Sequence, residues 1–421
     1  MQLVLSAALA IYLAMYVFEG IIRYGLNLVG MDGLIFVRDV LLMVPLAILF
    51  VQQFLRRQVD PAYIVFLLVV MLHGAVMMAN IGSALAVVYG AKLLMTMLAG
   101  ALLAPRLMQP SRAMLMFILF LWAAAFVSIV ADKFFVQLPW TGMETTFGDI
   151  KVEISRDWQV SGEEKRAAGF LRSSINAATV EPLLALVLMF HLRRRSWRVA
   201  IALLTVAAVF LTTQKGPIIA YVLMLGILGI SFRNPIPLLR VGVCAMIALA
   251  VALPLTLSGV NMPPSNGSVF SFSSFYQRME QMWPEAWQWI HAHEAFPFGV
   301  GLGGISGAQR LYALNDMNAA DNMFLFMYGY FGLMSLLYLS FAGFVAARTS
   351  RHASPAAAQA LATLVFLFGY GCVISLLEDQ MALLFLGAAV AWLCREYKTA
   401  RAQQPVPGTH LSSAVTAVVH S

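Results

Sequence analysis

The chain has 421 residues, of which 61% are hydrophobic and only 11% charged, and its formal net charge is +7. A soluble globular protein carries roughly 25% charged residues, so this balance excludes that class and points to a polytopic membrane protein. The positive excess would suggest a nucleic-acid partner in a soluble chain, but here it lies in short loops between apolar runs, where it sets topology.

A helix needs about 20 apolar residues to span the hydrocarbon layer. Twelve runs fit, near 2–18, 34–53, 61–79, 84–104, 112–131, 174–191, 197–213, 216–232, 238–257, 320–346, 357–376 and 380–395. The first lacks a basic start and reads as a retained helix, not a cleaved signal. Alternate connections are basic: Arg56-Arg57, Arg106 to Arg112, Arg193 to Arg198, Arg233 to Arg240, Arg348 to Arg351 and Arg395 to Arg401. With twelve spans all of these fall on one side, which the positive-inside rule makes the cytoplasm. The fold class expected is an all-α polytopic membrane protein with about twelve transmembrane helices. Residues 1–401 form one integral membrane domain. It carries two larger periplasmic loops, about 132–173 and 258–319, the second partly helical. Residues 402–421 read as a flexible cytoplasmic tail, so both termini are expected in the cytoplasm.

Cys244, Cys372 and Cys394 lie within or at the ends of apolar runs without CxxC spacing. They read as buried small hydrophobes, and not as a disulfide framework or zinc site.

Charges within apolar spans are costly and therefore candidates for function. Lys92 either snorkels or pairs with an acid inside the bundle, and Glu181 either acts or pairs with such a lysine. Lys215 occupies a tight turn, Thr212-Thr213-Gln214-Lys215-Gly216-Pro217, where Gly and Pro keep the backbone open; it reads as an anion ligand or as a plain interfacial lysine. Glu378-Asp379 forms the short turn between the last two spans.

In the first large loop, Lys165, Arg166 and Arg172 precede the Ser-rich start of a helix at Ser173. A helix N-terminus flanked by arginines suits a phosphate; the alternative is capping by Ser173 with solvated charges. The second large loop carries Arg278 near Glu280, Glu285, His291, His293 and Glu294, with Trp283 and Trp287 on one helix face. The indoles mark an interfacial belt helix, the favoured reading, or stack on sugars. His291 and His293 lack further ligands at zinc spacing, so no metal is expected. Gly299, Gly301, Gly303 and Gly304 permit close backbone approach but match no nucleotide loop.

The order of these features resembles the superfamily of O-antigen ligases and O-antigen or exopolysaccharide polymerases. Lys165 to Asn176 resembles its arginine-glycine-phenylalanine approach to a central helix. Leu211 to Gly216 resembles its threonine-x-serine-arginine turn, with Lys215 at the arginine position. Ser274 with Arg278 resembles the start of its large outer-loop helix. Pro297 to Gly303, then Asp321-Asn322 and Gly329 to Gly332, resembles its Pro-x-Gly-x-Gly, His-Asn and Gly-x-x-Gly series. Asp321 stands where the ligases commonly place histidine, which leans toward a polymerase.

The resemblance implies a glycosyltransferase of the bacterial inner membrane that needs neither metal nor cofactor. It would move a growing glycan from undecaprenyl diphosphate to the next lipid-linked repeat at the periplasmic face. Lys215 and Arg278 would bind the diphosphate with Arg166 or Arg172 assisting, Trp287 would contact glycan, and Asp321 would orient or deprotonate the acceptor hydroxyl. His291 and Glu294 are the alternative bases. Implied partners are lipid-linked oligosaccharides, the bilayer, and chain-length regulator and export proteins, with no nucleic acid. A ligase acting on lipid A-core and a lipid-linked sugar transporter or flippase are the alternatives.

Overall fold

The computed structural model describes residues 2–135, 138–147, 150–153, 159–160, 164–230, 234–261, 272–313 and 317–402. The expected tail beyond 402 and Arg233 lie outside the described residues, as do parts of both large loops.

Helices occupy each of the twelve apolar runs. They are α1 (Gln2–Val17), α2 (Glu19–Leu28), α3 (Val37–Leu55), α4 (Pro61–Asn80), α5 (Ala84–Met108), α6 (Arg112–Phe134), α7 (Ser174–His191), α8 (Arg195–Leu211), α9 (Lys215–Ile230) and α10 (Ile236–Thr256), then α11 (Ser273–Gln277), α12 (Trp283–His293), α13 (Met323–Phe331), α14 (Met334–Arg348), α15 (Pro355–Gly371) and α16 (Gln380–Ala402). Many starts are written by a capping side chain that accepts an otherwise orphaned amide: Asp60 for α4, Ser83 for α5, Ser111 for α6, Ser173 for α7 and Ser354 for α15.

The chain is a helical membrane protein. Among the described residues, six helical stretches are long and apolar enough to cross a bilayer: Asp32–Leu55, Pro61–Asn80, Ala84–Met108, Arg112–Phe134, Ser174–His191 and Ile236–Thr256. The number becomes seven if α1 and α2, bent by 79°, form one span. Lys215–Ile230, Met334–Arg348 and Pro355–Gly371 are apolar but shorter. α7, α15 and the first half of α16 are buried along almost their whole length and form the centre. α3, α4 and α10 instead expose large apolar side chains such as Val44, Leu68, Met71 and Leu249. That pattern suits lipid, not water, as the surrounding solvent.

Side-chain ties bring the basic connections together at one end of the bundle. Arg106 donates to Ser6, Lys398 pairs with Asp60, Arg240 donates to the carbonyl of Thr349, and Asn234 to that of Arg351. The second large loop packs at the other end, where Asn80 at the close of α4 donates to the carbonyls of Gly299 and Val300.

Four sequence expectations need correction. The run 320–346 is two helices, α13 and α14, broken at Gly332. The first large loop carries two short antiparallel strand pairs, Glu144–Phe147 with Ile150–Glu153 and Gln159–Val160 with Glu164–Lys165. Lys92 does pair with an acid, Asp39, at 2.6 Å, but Glu181 does not share a lysine: both its carboxyl oxygens are buried in α7 without a hydrogen-bond partner. The belt reading does not hold for Trp283, which is fully buried with its ring edge-on to Phe275.

Candidate functional site

Four segments distant in sequence converge where α6 ends and α7 begins. The first is the approach to α7. Asp132, at the end of α6, accepts the amides of Ala168 and Gly169 at 2.8 and 3.0 Å and forms an ion pair with Lys165. Ser128 accepts the amide of Phe170, and Trp140 donates to the carbonyl of Gly169. The loop is thereby fixed against α6, and Lys165 is consumed in fixing it. Ser173 caps α7 by accepting the amide of Asn176 at 3.2 Å, so the capping reading of that helix start holds.

The second segment is the turn before α9. Thr213 adopts the left-handed backbone region, with φ of 57°, where a β-branched residue is a genuine outlier. Gln214 donates to Ser174 Oγ at 3.0 Å, which ties this turn to the start of α7. Gly216 packs where a side chain would strike Val373 and Tyr370 at the end of α15. Lys215 is carried between these two anchors.

The third segment is the helical run from Ser273 to His293, in which a π-helical turn, Arg278–Met282, separates α11 from α12. Arg278 donates from Nη1 to the carbonyl of Ser274, one turn earlier, at 2.8 Å. Its Nη2 meets Asp321 Oδ2 at 2.8 Å, while its Nε is buried without a hydrogen-bond partner.

The fourth segment holds Asp321 and Asn322. Asp321 has φ of 39°, and its amide donates to Ser375 Oγ at 3.0 Å. Asn322 is spent on the fold: it caps α13 by accepting the amide of Leu325 and donates to the carbonyls of Ala250 and Cys372. A left-handed Asp anchored from both sides has little freedom to turn away from Arg278.

The electrostatics join these segments. Burial first, and then the positive charge of Arg278, pulls Arg166 below the ordinary arginine value. Arg166 and Arg278 both act repulsively on Lys215. Burial pushes the Asp321 carboxyl above the usual carboxylate range, against the opposing pull of Arg278. Tyr370 at the end of α15 lies within electrostatic reach of Arg278, Asp321 and Asp379. Arg166, Lys215 and Arg278 thus act on one another, and Arg278 is paired with Asp321. Like charges held together away from bulk water repel strongly unless an anion joins them. The Arg166 Nε, buried without a hydrogen-bond partner, leaves one donor still to be satisfied.

The Gly-rich series serves to bring backbones together. The amide of Val300 donates to the carbonyl of Gly329, and that of Leu333 to the carbonyl of Pro297, each at 2.9 Å. A methyl at Gly299 would lie 2.5 Å from the amide nitrogen of Gly332, and one at Gly332 would lie 2.2 Å from the carbonyl oxygen of Pro297. Both glycines also have positive φ, so the two motifs interlock at positions no other residue fits. This clasp fixes the loop that leads from α12 to Asp321.

Arg166, Lys215, Arg278 and Asp321 are brought together, and the remaining sequence candidates are not. Arg172 acts on Glu19 and Arg23, on the other side of the α7 start. Trp287 donates to the carbonyl of Pro254, stacks on His291 at 5.4 Å, and meets Phe324 and Tyr328 edge-on, so its ring is engaged with neighbouring side chains. His291 and Glu294 bond each other at 2.9 Å, thirteen residues along the helical run from Arg278, or roughly 20 Å at 1.5 Å per residue. Neither stands near the cations. Among the described residues no three His, Cys, Asp or Glu side chains gather as a metal site.

Sequence reading missed Asp132 and Ser375, which position the site, and Tyr370 beside it. It also missed a buried ionic web in which Arg38 bonds Glu19 at 2.9 Å and Gln380 at 2.6 Å, and lies over the rings of Tyr12 and Tyr16. The rule that charge inside an apolar run is expensive flags Arg38 and Asp39 as readily as Lys92. No family model matches the chain, and no curated protein or solved structure matches it either.

Proposed function

We propose that the chain is a membrane glycosyltransferase that polymerises a polysaccharide, passing a growing glycan from undecaprenyl diphosphate to the next lipid-linked repeat. In this reading all twelve helical segments cross the bacterial inner membrane, counting α13 with α14 as one. The basic connections face the cytoplasm, and the converging loops face the periplasm.

The observation that carries the reading is the gathering of Arg166, Lys215 and Arg278, the last of them paired with Asp321. Clustered cations complement a diphosphate diester, which carries two negative charges. The acceptor hydroxyl attacks the anomeric carbon of the donor glycan. The bond from that carbon to the diphosphate oxygen breaks, and its electron pair leaves with the diphosphate. Arg166, Lys215 and Arg278 hold that charge as it develops, where preorganised cations in a low-dielectric site act most strongly. Asp321 takes the hydroxyl proton; a carboxylate whose pKa lies above the usual range is the better base at neutral pH.

The test is purified protein in vesicles, supplied with a lipid-linked repeat unit. Chain growth without an ion gradient, lost in Lys215→Ala at equal protein level, supports the assignment. Movement of the lipid-linked unit across the bilayer without chain growth makes the protein a transporter and overturns it. In a deletion strain, accumulated single repeats mark a polymerase. Accumulated full-length chains that fail to reach lipid A-core mark a ligase.

A further inference from the structure

The short connection from α15 to α16 touches three other parts of the molecule. Ser375 accepts the amide of Asp321, Asp379 accepts from Asn176 of α7, and Gln380 accepts from Arg38. Asp379 is only 8% exposed, so each of its oxygens needs a donor from the protein. Oδ1 accepts the backbone amide of Ala382 at 3.0 Å, which caps α16. Oδ2 accepts the side-chain amide of Asn176 at 2.8 Å, across the gap to α7. Tyr16 of α1 adds a further hydrogen bond.

Asn176 is fully engaged in turn. Its side-chain nitrogen also donates to Tyr16 Oη at 2.8 Å, and its side-chain oxygen accepts the Ser173 hydroxyl at 2.6 Å. Its backbone amide donates to Ser173 Oγ, the cap of α7. Fixing Asn176 therefore fixes Ser173 and, beside it, Ser174. Ser174 Oγ is the group that receives the Gln214 side chain, one residue before Lys215. A continuous run of contacts thus leads from Asp379, through the start of α7, to the turn that carries Lys215.

The kind of side chain at 379 matters. A carboxylate offers two acceptor oxygens, and here they face donors on two different helices. A carboxamide offers one. Asparagine at 379 would either give up the α16 cap or set its own NH2 against that of Asn176. Exchanging the two side chains removes the conflict. An acid at 176 accepts from an asparagine at 379, whose oxygen still caps α16, and an acid in the first turn of α7 suits the helix dipole.

We infer that Asp379 is a positioning residue for the Lys215 recess: by bridging the starts of α16 and α7 it sets, through Asn176 and Ser174, where the Lys215 turn sits. Its bearing on substrate rests on the reading of that recess as the diphosphate site.

The experiment uses full-length protein in detergent and two measurements. Amide hydrogen exchange reads the turn at 212–216, with the clasp at 297–300 as internal reference. Farnesyl diphosphate, titrated by calorimetry, reads the recess. Asp379→Asn should raise exchange in the turn about ten-fold and weaken farnesyl diphosphate by a similar factor, the size expected for loss of one hydrogen bond to a charged group. Exchange in the clasp should be unchanged. Ser174→Ala leaves Asp379 and Asn176 in place and should do the same; combined with Asp379→Asn it should add little. The exchanged pair, Asp379→Asn with Asn176→Asp, should recover most of both signals. A turn that exchanges at the wild-type rate in both Asp379→Asn and Ser174→Ala overturns the proposal. So does an exchanged pair that recovers nothing, or loosening spread equally over turn and clasp, which marks plain destabilisation. Wild-type protein that fails to bind farnesyl diphosphate ends the diphosphate reading alone, because the exchange pattern still decides the role of Asp379.

Discussion

Two ionic clusters flank the start of α7, and they differ in access. Around Arg38 the ties interlock several helices: Glu19 bonds both Arg23 and Arg38, Asp39 takes Lys92, and Gln380 receives a further Arg38 donor. Around Arg278 the ion pair to Asp321 lies at a more open recess. The side chains of Arg38 and Glu19 are 6% and 5% exposed, whereas those of Arg278 and Asp321 are 19% and 23% exposed. A closed cluster holds helices together; an open one can be reached by a ligand. Arg172 belongs to the first and Arg166 to the second, although they lie six residues apart in one loop.

The difference can be broken by mutation, and the largest effect is expected at the open cluster. Arg278→Ala should lower the rate of glycan transfer in vesicles about 10³-fold, or about 4 kcal/mol of barrier. Arg278→Lys should recover part of that, because charge returns without the bidentate fork. Thermal unfolding of the two variants should be nearly alike. At the closed cluster the pattern should reverse. Arg38→Ala leaves Glu19 and Asp39 short of a partner and should cost roughly 3 kcal/mol of stability. Transfer per folded molecule should be unchanged, which a folded-fraction assay beside the rate assay would show.

Asp321→Asn sharpens the comparison by asking whether the lone carboxylate is a base or a tether. A base predicts a loss of about 10²-fold in kcat, with donor binding retained in a pull-down on the lipid-linked substrate. The pH profile separates the roles further. The ionised form is the active one, so transfer should fall on acidification through a pKa above the ordinary carboxylate value of about 3.9. Arg278 opposes that upward shift, so removing its charge should move the acid limb to higher pH, and Asp321→Asn should abolish it. The smallest effect is expected at His291→Ala, an exposed residue paired with Glu294 far along the helical run, at within ±0.5 kcal/mol of stability and with transfer unaltered.

Helix positions were legible because apolar runs bounded by Ser, Asp and Pro leave little choice of where a span starts. The convergence of Lys215, Arg278 and Asp321 was readable only as an order of motifs; nothing in the local pattern brings three such distant positions to one recess. The burial of Trp283 was not legible because an indole at an apparent interface and an indole packed on a neighbouring helix look identical in sequence. Arg38 and Asp39 were passed over because hydropathy averaging dilutes two adjacent charges of opposite sign. Glu181, caught by the same logic as Lys92, received no partner, and its surroundings in α7 show no reason for the charge.

The interlock of Gly299 with Gly332 has a consequence for how this chain varies between strains. Each glycine is shaped by the backbone of the other segment, so a methyl group gained at either one displaces both. Length changes and substitutions in the neighbouring loops should accumulate freely in orthologues, while these two positions stay glycine. Sequencing homologous genes from diverse isolates would expose that invariance, and drift at either glycine would show that the clasp tolerates loosening.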